Sequence, residues 1–181
     1  MDILKIVSAR RSVRSYQSKA VEDSKIETLI GAANSAPFAG PFHISVVLNK
    51  ELLTELNHKT LTAMKNSGNE FLQSRAALEG YQPMYGAPLM LIFSAPAENP
   101  YGVASCSNAA TTAALVATDI GLGSCYVVTP TLTLAHDAAI AKKAGVPSGF
   151  KAACCLLAGY TDDPKKYQAP RQKDDNVSYI R

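Results

Sequence analysis

Hydrophobic positions in the first third of the chain recur with a helical spacing. Asp2 is placed to cap a short apolar helix that ends where a cluster of arginines begins. A second helix is predicted over residues 24–34, where apolar residues recur at i, i+3, i+4 and i+7. In this helix Ser24 and Glu27 have the spacing of a capping box. A third helix is predicted over residues 51–66.

Short apolar runs rich in β-branched residues alternate with these helices and predict strands. The predicted strands cover residues 42–48, 89–94, 124–128 and 152–158. Two later helices are predicted over residues 104–120 and 132–144, whereas residues 95–102 read as a loop and 68–82 are polar and only weakly helical. Because helices and strands do not alternate one to one, the pattern indicates an α+β sandwich of helices over a small sheet.

Composition narrows the class of protein. The chain has 181 residues, 47% hydrophobic residues and a formal net charge of +3, so we expect one soluble globular domain over residues 1–181. The small charge argues against nucleic acid as a partner, and no apolar run is long enough to cross a membrane. The first residues do not resemble a signal peptide, and the cysteines have no zinc-type spacing, which predicts a cytoplasmic protein with reduced thiols and no metal site.

The most distinctive stretch is Arg-Arg-Ser-Val-Arg-Ser-Tyr at residues 10–16. Side chains alternate along an extended segment, so Arg10, Ser12 and Arg14 would project from the same side. Two guanidinium groups with a hydroxyl between them suit a terminal phosphate and the adjoining part of a ligand. A solvated basic turn is the other interpretation, and the cluster alone does not exclude it.

Five segments, in order along the chain, resemble the FMN-dependent nitroreductase family. The first is the basic motif at residues 10–16, and the second is Ser-Ala-Pro-Phe-Ala-Gly-Pro-Phe at 35–42, before the first strand. The others are Gly-Ala-Pro at 86–88, the long helix ending in Gly-Leu-Gly-Ser-Cys at 104–125, and Ala-Gly-Tyr at 158–160 followed by Pro-Arg at 170–171. Each motif is weak alone, and together they cover nearly the whole chain.

The resemblance implies an intertwined homodimer of the nitroreductase-like fold, with a small, mostly antiparallel sheet flanked by helices and two FMN sites between the subunits. The residues that match cofactor-binding positions are Arg10, Arg11, Ser12, Arg14, Ser35, Ala36, Pro37, Phe38, Val128, Thr129, Arg171 and Lys173. Among them, residues 35–38 would come from the partner subunit, and the backbone at Val128 and Thr129 would face the flavin. Arg11 points away from its neighbours, which also favours a structural ion pair.

Two departures from the family pattern concern polar contacts to the cofactor. Phe38 and Gly40 stand where the family usually has asparagine and glutamine, and Phe38 is our candidate for a pocket wall. A second family asparagine aligns near Gly80, and Asn69 and Gln82 are the candidates to replace it. Tyr81, Tyr85 and Tyr101 are expected either at the mouth of the site or as ordinary surface aromatics.

The resemblance also implies the chemistry. The protein would be an FMN-dependent oxidoreductase that passes hydride from transiently bound NAD(P)H through the flavin to a nitroaromatic, quinone or similar acceptor. No catalytic side chain is then required, because the reaction centres on the flavin and the protein contributes the backbone of Val128. Two alternatives stay open: an FMN-binding storage or sensing protein without rapid turnover, and a flavin-free dimeric scaffold that uses the arginines for another phosphate ligand.

Overall fold

The computed structural model describes residues 2–162, 166–167 and 176–181. In this part of the chain the helices are α1 (Ile3–Ala9), α2 (Asp23–Asn34), α3 (Lys50–Lys65), α4 (Glu70–Ala76), α5 (Gly102–Asp119), α6 (Pro130–His136) and α7 (Ala138–Lys143). The strands are β1 (His43–Val47), β2 (Leu89–Pro96), β3 (Gly123–Val127) and β4 (Phe150–Gly159). No helix among the described residues is both long and apolar enough to cross a membrane.

The four strands form one antiparallel sheet in the order β1-β2-β4-β3. Its centre is the pairing of β2 with β4, which sets Leu89 opposite Ala158 and Phe93 opposite Cys154. Both faces of these strands are covered, as their continuous apolar sequences predict. The two edges of the sheet are therefore β1 and β3, and the candidate site lies beside β3.

Side chains alternate across β2 and divide the core into two layers. Leu91 and Phe93 pack with α2 and α5 on one face of the sheet. Met90 and Ile92 pack with α3, α6 and α7 on the other. The expected α+β arrangement, a small antiparallel sheet flanked by helices, is confirmed.

Alanine determines how α5 lies on the sheet. Ala109, Ala113 and Ala117 are all fully buried, because small side chains let the helix backbone approach the strands closely. The opposite side of α5 is exposed, and Val103 is 66% exposed. Within this chain, α5 is therefore buried on one side only.

Three local predictions need correction. Helix α2 begins at Asp23 with Glu22 at the N-cap, so Ser24 lies inside the first turn and does not form the capping box. The helix predicted over 132–144 is two helices, because Asp137 leaves helical geometry and its side chain caps α7 through the Ile140 amide. The stretch 68–82, predicted to be only weakly helical, contains α4, which Asn69 caps.

Candidate functional site

Residues 10–17, which we call the N-terminal strap, lie along the outer edge of β3. Ser12 forms a parallel bridge with Ser124, and the Val13 amide donates to the Ser124 carbonyl at 2.9 Å. Further along, the Gln17 amide donates to the Tyr160 carbonyl at 2.9 Å, just beyond β4. The strap thus lies against the edge that β3 leaves open and is joined to β3 by one isolated bridge.

Close packing fixes the strap in place. Val13 is 1% exposed, and its Cγ2 lies 2.9 Å from the position where a Cβ on Gly123 would be. The Tyr16 hydroxyl lies 3.1 Å from the Val13 carbonyl and 3.4 Å from the Leu157 carbonyl, to which it can donate. Burial raises the pKa of Tyr16 well above its ordinary value, which keeps this hydroxyl protonated as a donor.

The strap carries two cations toward the end of β3. Arg10 is half-buried, and Arg14 is exposed with its Nη1 3.2 Å from the Ser12 carbonyl, to which it donates. Burial raises the pKa of the Cys125 thiol, and the positive charges of Arg14 and Arg10 oppose that increase. Both guanidinium groups therefore lie close enough to act electrostatically on the same residue of β3.

Arg11 does something different from the two arginines that flank it. Its Nη1 donates to the carbonyls of Ser8 at 2.6 Å and of Arg10 at 3.1 Å, at the C-terminal end of α1. In the described part of the chain no carboxylate pairs with it. Among the described residues, Arg11 is therefore a cation that satisfies the last carbonyls of a helix, and its role in an ion pair stays a prediction.

A cavity of about 460 Å³ opens where the strap meets the end of β3. Its lining consists of Arg14, Met64, Phe71, Leu72, Arg75, Tyr81, Tyr85, Val127, Val128 and Thr129. The structure thus brings together three of the residues predicted to bind cofactor, namely Arg14, Val128 and Thr129. Tyr81 and Tyr85 line this cavity as well, whereas Tyr101 is a surface residue that is 62% exposed.

The backbone after β3 offers a donor at this cavity. The Val128 carbonyl accepts from the amide of Thr131 at 3.0 Å and from its hydroxyl at 2.7 Å, as α6 begins. Within the described residues, no hydrogen bond forms from the Val128 N–H. Val128 and Arg14 therefore both belong to the lining of this cavity.

Tyr85 contributes an aromatic wall in a strained conformation. Its φ of 54° lies in the left-handed region, which is uncommon for any residue other than glycine. Its ring packs edge-on against Tyr81 with centroids 6.1 Å apart, and burial raises its pKa to about 12. Backbone strain of this kind is concentrated at functional sites, and the wall stays uncharged at neutral pH.

The loop at residues 35–38 does not reach this cavity within the same chain. Ala36 is buried in the core beside α5, and the Pro37 carbonyl accepts from Asn108 Nδ2 at 3.2 Å. Phe38 is 60% exposed and packs edge-on against Phe42, with ring centroids 5.7 Å apart. Ser35, at the end of α2, is exposed too. The assignment of this loop to the site of a partner subunit remains a prediction.

The remaining predicted positions are not among the described residues that line this cavity. Arg171 and Lys173 lie outside the described residues. Asn69 caps α4, and Gln82 lines a neighbouring cavity, so neither lines the cavity beside the strap.

Sequence reasoning missed the α4 wall, formed by Phe71, Leu72 and Arg75. Their spacing at i, i+1 and i+4 is the available signal for a shared helix face, but it is short and lies in a polar stretch.

The fold and the cavity define a class of α+β protein in which an arginine-bearing strap and a backbone donor meet at one edge of an antiparallel sheet. This chain belongs to the nitroreductase family, whose family model matches residues 7–160. The resemblance seen in the sequence motifs is thereby confirmed.

Relatives of known structure share this architecture. The chain is similar to a nitroreductase from Bacteroides fragilis NCTC 9343, solved with bound FMN, at 26% identity over 100% of both chains and a TM-score of 0.88. A nitroreductase from Desulfitobacterium hafniense DCB-2, with bound FMN, has the same fold at 24% identity, 100% and 99% coverage and a TM-score of 0.89. The expected nitroreductase-like fold is therefore confirmed.

Among proteins compared by sequence, one from Archaeoglobus fulgidus is 26% identical over 92% of this chain and 89% of its own length. It is described as "Putative NADH dehydrogenase/NAD(P)H nitroreductase".

Proposed function

We propose that this protein is an FMN-dependent oxidoreductase that oxidises NADH or NADPH and reduces a nitroaromatic, quinone or similar acceptor in the cytoplasm. The observation that carries the proposal is the convergence of Arg14, Val128 and Thr129 on one cavity with an aromatic wall. Family membership supports it, as do the bound FMN of the Bacteroides fragilis relative and the NADH and NAD(P)H named in the description of the Archaeoglobus fulgidus relative.

The residues present fit FMN by the chemistry of their donors. Arg10 and Ser12 on the strap offer charge and a hydroxyl of the kind that holds a terminal phosphate. Arg14 and the Val128 N–H would serve the polar edge of a flat ring, and Tyr81 and Tyr85 its apolar surface. When bound, FMN would supply the two-electron redox chemistry itself.

The protein's own residues would then orient the cofactor and adjust its electrostatic surroundings. The guanidinium of Arg14 would stabilise negative charge that develops nearby, because the strap places Arg14 in the lining of the cavity. The strap is held by main-chain pairing and by the Tyr16 hydroxyl, so the charge does not need to reorganise. In the net reaction with a quinone, NAD(P)H gives a hydride and solvent a proton, yielding NAD(P)⁺ and the hydroquinone.

A homodimer is part of this proposal. Ile3 and Leu4 on α1 are 60% and 72% exposed, and Phe38 is 60% exposed, which leaves large apolar side chains for a second copy to cover. In such a dimer the loop carrying Ser35, Ala36 and Pro37 would complete the cofactor site of the partner.

The test is flavin binding followed by reduction. Purified protein should be yellow or take up added FMN, and anaerobic NADH should bleach the flavin absorbance. Arg14→Ala should retain FMN roughly 10-fold less well, the effect of losing one charge-assisted contact, whereas Lys151→Ala on β4 serves as a control far from the strap. Colourless protein that takes up no FMN would overturn the proposal and leave the flavin-free scaffold.

A second candidate is an FMN-binding protein without rapid turnover. It is favoured by the apolar Phe38 and by Gly40, which replace polar positions of the family; Gly40 has a φ of 77° and lies against Asn99. Steady-state consumption of NAD(P)H on addition of a quinone would exclude it, whereas bound flavin that is reduced but not reoxidised by acceptors would support it.

A further inference from the structure

The cavity beside the strap has a second positive charge, on the side that faces away from the sheet. Helix α4 contributes Phe71 and Arg75 to the lining, and Arg14 lies on the strap side. The cavity is therefore flanked by two guanidinium groups on different elements. Only Arg14 belongs to the basic motif of the sequence.

No carboxylate among the described residues neutralises the charge of Arg75. The ion pairs among the described residues involve Lys19, Lys59 and Lys143, and none includes Arg75. Its guanidinium carbon lies 5.2 Å from the ring centroid of Tyr81, which supports the side chain without neutralising it. Arg75 is half-buried, so part of its surface is already shielded from water.

Aromatic side chains line the same cavity as this cation. Tyr81 packs against Tyr85, and Phe71, which is 70% exposed, lies one turn before Arg75 on α4. Such a wall suits a flat aromatic ring, and a planar guanidinium at its edge suits a carboxylate or sulfonate. The phosphate of a cofactor already has Arg10 and Ser12 on the strap, which leaves Arg75 available for another group.

We propose that Arg75 binds an anionic substituent of the electron acceptor, and that the protein therefore prefers aromatic acceptors that carry a carboxylate or sulfonate. This inference rests on the proposed function and assigns its specificity. Arg75 acts on binding of the acceptor, and the redox chemistry is the same for charged and neutral acceptors.

The test compares two acceptors of nearly equal shape, 4-nitrobenzoate and the neutral 4-nitrobenzamide, with the FMN-loaded enzyme. Arg75→Gln should lower kcat/KM for 4-nitrobenzoate roughly 10- to 100-fold, the range expected for losing a charge-assisted contact. The value for 4-nitrobenzamide should stay within about 2-fold, because a neutral amide has little to gain from the cation. Arg75→Lys keeps the charge but loses the planar guanidinium, so its kcat/KM for 4-nitrobenzoate should fall between those of wild type and Arg75→Gln.

The matched control is Lys65→Gln. Lys65 lies on α3 in the neighbouring cavity, so its loss removes one positive charge nearby without touching this lining. An equal loss in both variants would mean a general effect of charge and would overturn the proposal. The wild-type preference for 4-nitrobenzoate should also weaken with added salt, a measurement that requires no variant.

Other outcomes separate this inference from the proposed function. If all variants bind FMN and oxidise NAD(P)H with both acceptors at unchanged ratios, the proposed function stands and the role of Arg75 is wrong. If Arg75→Gln instead releases FMN, or raises only the KM for NAD(P)H, Arg75 contacts the cofactor or the nicotinamide nucleotide, and the inference again fails. If wild-type protein takes up no FMN, both fail.

Discussion

At Gly123, Val13 fills the space that a side chain would occupy. A Cβ there would lie 2.9 Å from Val13 Cγ2 and 3.1 Å from Thr161 Cγ2. Val13 is β-branched and 1% exposed, so it has no room to move aside. The absence of a side chain at Gly123 is what allows the N-terminal strap to lie against β3.

Gly123→Ala should therefore displace the strap. We expect a loss of about 1–3 kcal/mol in the free energy of unfolding, typical of overpacking, together with weaker FMN binding. Gly31→Ala on α2 is the matched control: nothing lies within 4 Å of its Cβ position, and alanine there should stabilise the helix by about 0.5–1 kcal/mol. Denaturant unfolding and FMN titration measure both effects, and equal behaviour of the two variants would contradict the expectation.

Glu22 is the residue whose charge depends most clearly on a partner far along the chain. The Tyr160 hydroxyl donates to Glu22 Oε2 at 2.5 Å, and this bond lowers the pKa of the carboxyl from 4.5 to about 2, with Lys19 assisting. Because the folded pKa is depressed, its stabilising contribution is complete above pH 4.5 and is lost as pH falls toward 2.

Glu22→Gln should remove this pH dependence. Glutamine can still accept from Tyr160 but does not titrate, so wild type should have the higher Tm at pH 6, and the difference should shrink between pH 4.5 and about 2. Thermal unfolding across this range checks it, because other carboxylates titrate equally in both proteins. A difference in Tm that does not change with pH would show that the Tyr160 bond does not depend on charge.

At the scale of elements, Asp137 separates α6 from α7. Its side chain accepts from the Ile140 amide at 3.0 Å and pairs with Lys59 of α3 at 2.6 Å. The hydrogen bond with Lys59 is the largest contribution lowering the pKa of Asp137. One residue thus caps a helix and joins it to the neighbouring α3.

Two substitutions at Asp137 should separate these roles. Asp137→Asn keeps a capping oxygen and loses the ion pair, which should lower the stability only slightly because water reaches both partners. Asp137→Ala loses both and should cost about 1 kcal/mol more, the usual value of an N-cap. Urea unfolding measures the difference, and equal losses in both variants would assign the whole effect to the ion pair.

Long periodic segments were predictable at this scale, and short ones were not. Helices α2, α3 and α5 and all four strands lie close to their predicted positions, because each buries one face or both. Helix α4 and the break at Asp137 depend on capping side chains, Asn69 and Asp137, whose spacing carries little signal in a polar sequence. Arg75 was not predicted as a site residue because it lies on α4, in this polar stretch.

For the whole molecule, the main expectation is self-association. Leu4 is 72% exposed on α1, beside Ile3 and Val7, which are 60% and 46% exposed. In a monomer these apolar side chains would face water. Leu4→Glu should therefore shift the protein toward monomer and weaken FMN binding, because residues 35–38 would no longer reach the partner's site.

Sedimentation velocity and FMN titration at several protein concentrations check this. Lys5→Glu, an exposed change of charge on the same helix, should leave both the oligomeric state and the FMN affinity much closer to wild type. A Leu4→Glu protein that stays dimeric would place the subunit interface elsewhere.

The motifs of a single chain were enough to predict part of the candidate site. Arg14, Val128 and Thr129 come together because the strap pairs with β3, a contact that sequence spacing alone does not specify. Residues 35–38 do not line this cavity, and their assignment to the site depends on a second chain. Arg171 and Lys173 lie outside the described residues, so the phosphate end of the site remains a prediction.

The pairing of the strap has a consequence for the order of events during synthesis. Tyr16 and Leu157, joined through one hydroxyl, are 141 residues apart, so their contact must wait on the order of 10 s of translation. Until β3 and β4 have left the ribosome, the strap that carries Arg10 and Arg14 has no strand to lie against. The nascent chain can therefore capture its cofactor only after β4 has been made.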